Sequence, residues 1–293
     1  MFRLLVKTTK RLIETRGLRA AGTFAAHFLR ALPSSAAWAA YVEKICMRRF
    51  GGAVPLDLIT TGIVPAKRQS SKRLQALRAH YDVLDTYFGD AVLARLLFGR
   101  PLAMSVFSAD SGTIYGLDLV ATSAALRPEG ELMIVLRGED RVQPIGLLPL
   151  CFAAAGHRGI SLHLGHMRLS PEADEAARDL YAMPVKAAIM DAVYALVSVF
   201  GVTELTAPAG NDAFWADCGG EPSDGAFRLP LEGLFWRSKT GRAALGENWV
   251  PQQMLRTVIL PQCQAAVSSW LRFDETTKND SKRKPATVAA NEG

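Results

Sequence analysis

The sequence predicts an α+β fold in which one mostly antiparallel sheet is flanked by helices, with a helical N-terminal lobe and a C-terminal helix. Residues 2–98 show apolar side chains at helical spacing. Residues 102–169 instead contain short strand-like runs separated by turn residues, and residues 184–230 alternate helix, strand, helix and strand. Strands gathered in one stretch, with helices before and after it, predict a sheet with helices packed around it.

The N-terminal segment is strongly basic. Residues 1–50 contain ten Lys or Arg and two Glu, so their net charge is +8, whereas the whole chain carries +6. Basic and apolar side chains alternate through residues 2–31, which predicts an amphipathic helix lying in an anionic membrane interface. The predicted membrane contacts are Arg3, Lys7, Lys10 and Arg11, with Phe2, Leu5, Leu12 and Ile13 as the apolar side. A surface helix packed on the protein body is the alternative, and Gly17 and Gly22 weaken a continuous helix.

Turn signals divide the next part of the chain. Helices are expected at residues 36–50, 71–88 and 91–98, then strands at 102–108, 113–122, 131–137, 142–152 and 160–169, then a helix at 171–181. His80 lies on the apolar face of its helix, so we interpret it as a structural histidine rather than a ligand. Glu129 and Glu131 flank a turn glycine and are expected in solvent.

The segment 184–220 is the centre of the predicted fold. Pro184 suits the beginning of a helix, and Gly201 suits its left-handed end. The helix is expected to be buried, with Ile189, Val193 and Leu196 facing the core. Its narrow polar stripe consists of Lys186, Asp191, Tyr194 and Ser198. A strand at 203–206 and a helix that begins at Asn211 or Asp212 follow it.

The C-terminal part contains a strand at 226–230 and a helix at 252–273 that Pro261 is expected to kink or split. Residues from 274 onward offer almost nothing to bury and are expected to be disordered. The predicted segments are therefore a basic helical lobe at 1–100, a core at 101–235, a helical extension at 236–273 and a tail at 274–293.

Several classes of function are disfavoured by composition. The four cysteines lie far apart and none pairs with a histidine at ligand spacing, so neither a disulfide framework nor a metal site is expected. No apolar run reaches the ~20 residues that cross a bilayer, and the N-terminus lacks the pattern of a signal peptide, which predicts a cytoplasmic protein. Nucleic-acid binding is not favoured because the basic segment lacks interleaved aromatic side chains.

The order of elements, together with Asn211 and the Phe214-Trp215-x-x-x-Gly219 ending of a helix, resembles the GNAT fold of N-acetyltransferases. That resemblance implies a coenzyme A or acyl-CoA ligand and an acyl-CoA-dependent N-acyltransferase activity. In the GNAT fold a glycine-rich loop holds the pyrophosphate at a helix N-terminus. The corresponding loop here, residues 165–170, lacks the glycine pair.

A second set of motifs covers residues 80–256 and resembles the VirK/YbjX family of bacterial proteins, of which this chain would be a divergent member. The motifs are His80-Tyr81, Arg127-x-Glu129-Gly130-Glu131-Leu132, Pro184-x-Lys186, Phe214-Trp215 with Gly219-Gly220, and Asp224-Gly225-x-Phe227-x-Leu229-Pro230. The resemblance implies a role in the bacterial envelope, in virulence or in tolerance of antimicrobial peptides. We expect a protein peripheral to the inner membrane that handles or modifies a lipid or acyl ligand.

Five residues are candidates for a site. His163 is a candidate general base, although a structural role is the simpler interpretation; it cannot pair with His166, because a spacing of three places the two on opposite faces of a strand. Cys218 would need a nearby base and a cationic environment to act as a nucleophile. Asn211 is a candidate catalytic residue or a helix cap. Arg168 and Lys186 are candidates for binding an anionic ligand or are ordinary surface charges.

Overall fold

The computed structural model describes residues 2–30, 32–51, 71–122, 126, 129–139, 143–155, 159–210, 212–231 and 249–272. Within these ranges it has the predicted α+β fold, with one mostly antiparallel sheet flanked by helices. The helices are α1 (Phe2–Arg30), α2 (Leu32–Phe50), α3 (Ser71–Tyr87), α4 (Asp90–Leu97), α5 (Ala173–Asp179), α6 (Val185–Phe200), α7 (Asp212–Asp217) and α8 (Trp249–Trp270). The predicted tail at 274–293 lies outside the described residues.

The strands form a single sheet. They are β1 (Leu102–Ser108), β2 (Ile114–Ala121), β3 (Leu132–Gly138), β4 (Gly146–Ala155), β5 (Gly159–Leu164), β6 (Arg168–Leu169), β7 (Val202–Pro208), β8 (Glu221–Ser223) and β9 (Ala226–Leu229). Their order is β1-β2-β3-β4-β5-β7-β9-β8, and β6 pairs with β4 away from this path. All neighbours are antiparallel except β5 and β7, which are parallel. The parallel pair follows from the crossover through α6, which returns the chain to the same end of the sheet.

One strand prediction is corrected and one strand was missed. Residues 160–169 do not form one strand, because β5 ends at Leu164, and only Gly165 continues toward β4, with its N–H donating to the Pro149 carbonyl. The chain then pairs again as β6, with Leu169 opposite Gly146. The short strand β8 was not predicted. It is joined to β9 by a turn in which Asp224 and Gly225 both have positive φ, the conformation that an Asp-Gly hairpin turn favours.

Helices cover one face of the sheet. The Phe152 ring on β4 contacts both His80 of α3 and Phe200 of α6, which places these two helices on the same side. Phe88 at the end of α3 also stacks on Trp270, so α8 joins the same layer. The buried side chains of the N-terminal helices, the sheet and α8 belong to one contiguous core. The division of the chain at 100/101 and 235/236 stays a prediction.

The helix α6 is the most buried helix, as predicted. Ile189, Val193 and Leu196 are fully buried, and Gly201 ends the helix in the left-handed conformation with φ 60°. The helix α8 packs along α6 and on β1. It runs without interruption through Pro261, so the predicted split does not occur.

Candidate functional site

The polar side chains of β5 and β7 meet on the sheet face opposite α6. In the parallel ladder Ser161 is opposite Glu204, and His163 is opposite Thr206. The His163–Thr206 pair is the last one before the strands part. Their neighbours Leu162 and Leu205 point the other way and are fully buried. Since side chains alternate along a strand, the same apolar spacing that fills the core aligns these four polar groups.

His163 lies between two hydroxyl groups. Its Nε2 is 3.2 Å from the Ser161 Oγ, and its Nδ1 is 2.6 Å from the Thr206 Oγ1. Burial lowers the pKa of His163, and the nearby Glu204 carboxylate opposes this shift. The imidazole is therefore neutral at neutral pH, with one ring nitrogen donating to a hydroxyl and the other accepting from one. Because both ring nitrogens already contact hydroxyl groups, a general-base role for His163 requires that one hydroxyl release its nitrogen.

A cavity of about 440 Å³ lies toward the beginning of β7 and shares Glu204 with this group. Glu204 and Arg228 line it from β7 and β9, with their nearest charged atoms 3.4 Å apart. The Pro230 and Leu231 side chains contribute an apolar wall. Ser161, His163 and Thr206 are not among the described residues that line this cavity, so the open volume lies next to the His163 group and does not surround it.

A charged cluster lies beyond His163. It joins His166 and Arg168, which follow β5, to Glu129, which precedes β3. The His166 N–H donates to a Glu129 carboxylate oxygen over 3.2 Å, and the Arg168 guanidinium contacts the same carboxylate. Arg168, one of the two predicted ligand-binding residues, thus forms an ion pair with Glu129, and half of its side chain remains exposed. Gly210 approaches the His166 ring, since a Cβ at Gly210 would lie 3.6 Å from Nε2. The segments that follow β5 and β7 thus approach each other at His166 and Gly210.

Two other predicted residues, Lys186 and Cys218, lie near the beginning of α6. The Lys186 ammonium is 5.0 Å from the centre of the Phe214 ring, a cation–π contact between α6 and α7. Cys218 is buried, and burial raises the pKa of its thiol to about 12, with Asp217 adding to the shift and Lys186 opposing it. A protonated, buried thiol is not a nucleophile at neutral pH. Asn211 lies outside the described residues.

Glu131 was expected in solvent and is instead buried. It is 5% exposed, and one of its carboxylate oxygens accepts a hydrogen bond of 3.1 Å from the Tyr81 hydroxyl. The helix α3 covers the beginning of β3, so the turn that suggested exposure lies beneath a helix. His80 on the same helix is fully buried, and its Nδ1 accepts the Phe152 N–H over 3.0 Å. That bond satisfies a β4 amide beyond the end of β3, which confirms the structural interpretation of His80.

The predicted polar stripe of α6 is covered in part: Asp191 and Tyr194 are buried, Lys186 is half-buried and Ser198 is exposed. Asp191 is fully buried, and the Arg256 guanidinium of α8 donates to both of its carboxylate oxygens, with Nε at 3.0 and 2.9 Å. Burial raises the pKa of Asp191, and Arg256 opposes that shift. The helix pattern alone marked Asp191 as polar, but no local signal identified its partner 65 residues away.

The basic helix α1 carries the predicted membrane contacts. Lys7, Lys10 and Arg11 are exposed, and Arg3 lies on the same helix. Leu12 was predicted to face the membrane, which is wrong, because it is 2% exposed and packs into the core. Among the side chains of α1 that the structure describes, the large exposed apolar ones are Val6, Ile13, Leu18 and Leu29. Among the described helices, none has the length and hydrophobicity that crossing a bilayer requires.

The described residues contain no group of three or more side chains arranged to hold a metal ion.

Comparisons with known proteins place few limits on this site. No protein-family model matches the chain, and no curated protein matches it. Among solved structures, two mutants of a cAMP-binding acyltransferase from Mycobacterium smegmatis are similar to it at TM-scores of 0.33 and 0.30, with 12% and 11% identity. The alignments cover 61% and 69% of this chain, and the chain spans only 58% and 63% of those two structures. Similarity at this level carries no inference about activity.

Proposed function

We propose that this chain is a membrane-peripheral protein of the VirK/YbjX type, which supports the bacterial envelope from the cytoplasmic side by handling or modifying a lipid or acyl ligand. The observation that carries the proposal is the outer surface of α1. Val6 and Ile13 are 51% and 42% exposed and lie seven residues apart, on one side of the helix. Lys7 and Lys10 are exposed beside them. Apolar side chains with flanking lysines on one helix face suit the interface of an anionic membrane.

Vesicle sedimentation tests this proposal. Each basic residue near an anionic surface contributes about 1 kcal/mol at low salt. Changing Arg3, Lys7, Lys10 and Arg11 to Glu should therefore weaken binding to phosphatidylserine vesicles by about 100-fold or more. For a matched pair, Lys7→Glu with Lys10→Glu is compared with Arg100→Glu and Arg178→Glu, which lie outside α1. Equal sedimentation of the two double variants would show that α1 is an ordinary solvated helix.

A second candidate function, acyl-CoA-dependent N-acyltransfer, is favoured by His163. In this reaction an amine attacks the thioester carbonyl, the C–N bond forms, the C–S bond breaks, and coenzyme A leaves as the thiolate. The amine must lose one proton, which His163 would accept at Nε2 once the Ser161 hydroxyl, the longer of its two contacts, moves away, while Thr206 still holds Nδ1. Arg168 and Lys186 would contact the phosphates of the donor. Coenzyme A would lie where the parallel strands part, as in the GNAT fold that this order of strands resembles.

Thermal unfolding with coenzyme A or palmitoyl-CoA tests this second function, since a ligand that binds the folded state raises the Tm. The rise should be smaller in Lys186→Gln than in the control Arg100→Gln. Release of free thiol from palmitoyl-CoA in the presence of an amine should fall about 100-fold in His163→Gln, the typical contribution of a general base. An unchanged Tm at millimolar ligand would rule out the acyltransferase function and leave the lipid-handling function as the remaining proposal.

A further inference from the structure

The helix α8 is apolar on two opposite sides. Its inner side consists of buried side chains, namely Leu255, Ile259, Cys263, Val267 and Trp270. Its outer side is exposed and consists of Met254, Val258, Pro261 and Ala265. Since successive residues of an α-helix turn by about 100°, the four outer positions lie within about 60° of one another and point away from the inner side. Surface helices are polar on that side, and a helix that is apolar all round is normally covered, so this outer side has the composition of a contact surface.

This outer side of α8 is also uncharged. Met254 and Val258 are 66% and 41% exposed. The 22 residues of α8 include a single charged side chain, Arg256, which is directed inward to Asp191 of α6. None of the exposed side chains that the structure describes on α8 is charged. A surface of this kind lacks the flanking lysines that suit an anionic membrane, but it meets its own copy without charge repulsion.

The edge strand β1 lies beside this helix and is held to it by Gln262. The Gln262 Oε1 accepts hydrogen bonds from the Ser105 hydroxyl over 2.6 Å and from the Val106 N–H over 3.2 Å. An added strand would need that amide, so sheet extension is blocked at Val106. A partner on this side of the molecule would therefore contact α8 through side chains.

We propose that the outer side of α8 packs against the same helix of a second copy of this chain, with the two helices antiparallel across a two-fold axis. In such a pair every contact between two different residues occurs twice. The axis would lie between Val258 and Pro261, so that the long Met254 side chain meets the small side chain of the partner's Ala265. A large side chain opposite a small one fills the space between the helices, whereas a parallel pair would place each residue against its own copy.

The size of this surface sets the expected strength of the dimer. The four outer side chains extend over about 16 Å of helix. One helix pair of this length covers less than the ~1,200–2,000 Å² of a stable interface, so we expect a reversible dimer with a Kd of about 1–100 μM. This inference does not depend on the proposed membrane association, because it concerns a different helix.

Sedimentation velocity from ~1 μM to ~500 μM tests the dimer, and the wild-type mass should rise from monomer to dimer over this range. Val258→Glu should weaken self-association by about tenfold or more, because each copy would bring a carboxylate into the apolar interface. The matched control is Ile13→Glu on α1, since Ile13 is 42% exposed and Val258 is 41% exposed. It should change the dissociation constant by less than about threefold. Circular dichroism checks that both variants fold.

A mixing experiment separates loss of the interface from loss of the fold. Val258→Lys and Val258→Glu should each be monomeric alone, and an equal mixture at low salt should recover the dimer, because opposite charges then meet near the axis. A misfolded variant would not be rescued in this way.

Three results would overturn the proposal. They are a wild-type monomer at the highest concentration, equal weakening by Val258→Glu and Ile13→Glu, and a mixture of the two Val258 variants that stays monomeric. A wild-type monomer that binds neutral phosphatidylcholine vesicles, with binding lost in Val258→Glu, would assign the outer side of α8 to a membrane instead.

Discussion

At the scale of single residues, His80 makes stability depend on pH. Burial lowers the pKa of His80 from 6.5 to about 3, so the unfolded chain binds a proton that the folded chain excludes. The free energy of unfolding should therefore be fully retained above the unfolded pKa near 6.5 and fall by about 1.4 kcal/mol per pH unit below it, until the folded pKa is reached.

Denaturant unfolding between pH 7 and pH 5 measures this dependence. His80→Asn keeps an acceptor near the position of Nδ1 for the Phe152 N–H but removes the titrating group. Its stability should be lower than that of the wild-type protein at pH 7 and should depend less on pH. Parallel slopes for the wild type and His80→Asn would assign the pH dependence to other groups.

Two glycines of α1 allow the effect of backbone conformation to be measured apart from that of steric crowding. A Cβ would meet nothing within 4 Å at either Gly17 or Gly22, but only Gly17 has a positive φ, +84°. Gly17→Ala should destabilise the fold by about 1 kcal/mol, because an L-residue resists this conformation. Gly22→Ala should stabilise it by about 0.5–1 kcal/mol, because alanine favours the helix. Thermal unfolding of both variants measures the difference, and equal Tm values would mean that the positive φ of Gly17 does not persist in solution.

At the scale of elements, the buried ion pair between Asp191 and Arg256 holds α8 on α6. Arg256→Leu leaves an unpaired carboxylate in the core and should cost about 3–5 kcal/mol. Replacing both residues, as Asp191→Leu with Arg256→Leu, should recover most of that loss because no charge then remains buried. Arg228→Leu breaks the exposed pair with Glu204 and should cost no more than about 1 kcal/mol. Denaturant midpoints rank the three variants, and a double variant as unstable as Arg256→Leu would contradict the electrostatic explanation.

At the scale of the whole molecule, the N-terminal helices and the sheet share one core, although their sequences suggest separate segments. Val42 of α2 and Ile134 of β3 are both fully buried in it. We expect one cooperative unfolding transition. In native-state hydrogen exchange, the amides of these two residues should converge on the same opening free energy as denaturant is added. A lower plateau for Val42 would mean that the basic lobe opens by itself and that the boundary near residue 100 separates two folding units.

Much of the fold was predictable because the signals are local. Apolar spacing identified α6 and its buried residues, and Gly201 and Asp224-Gly225 adopt the positive φ values that their types favour. The length and type of most strands followed from alternation between turns. These features depend on backbone preferences within a few residues, so a linear sequence contains them.

The sequence alone determined the described helices and most of the strands, the apolar positions of α6, and that positive charge is concentrated at the N-terminus. Only the tertiary structure decided that β5 and β7 run parallel, that Glu131 lies beneath α3, and that His163 meets Thr206. The partner of His163 is 43 residues distant and that of Asp191 is 65 residues distant. The physical reason is that the environment of a polar side chain depends on which remote element covers it. The residue type shows that a side chain is polar, and periodicity shows on which face of its element it lies. Packing decides whether that side chain contacts water, a carboxylate or a hydroxyl group.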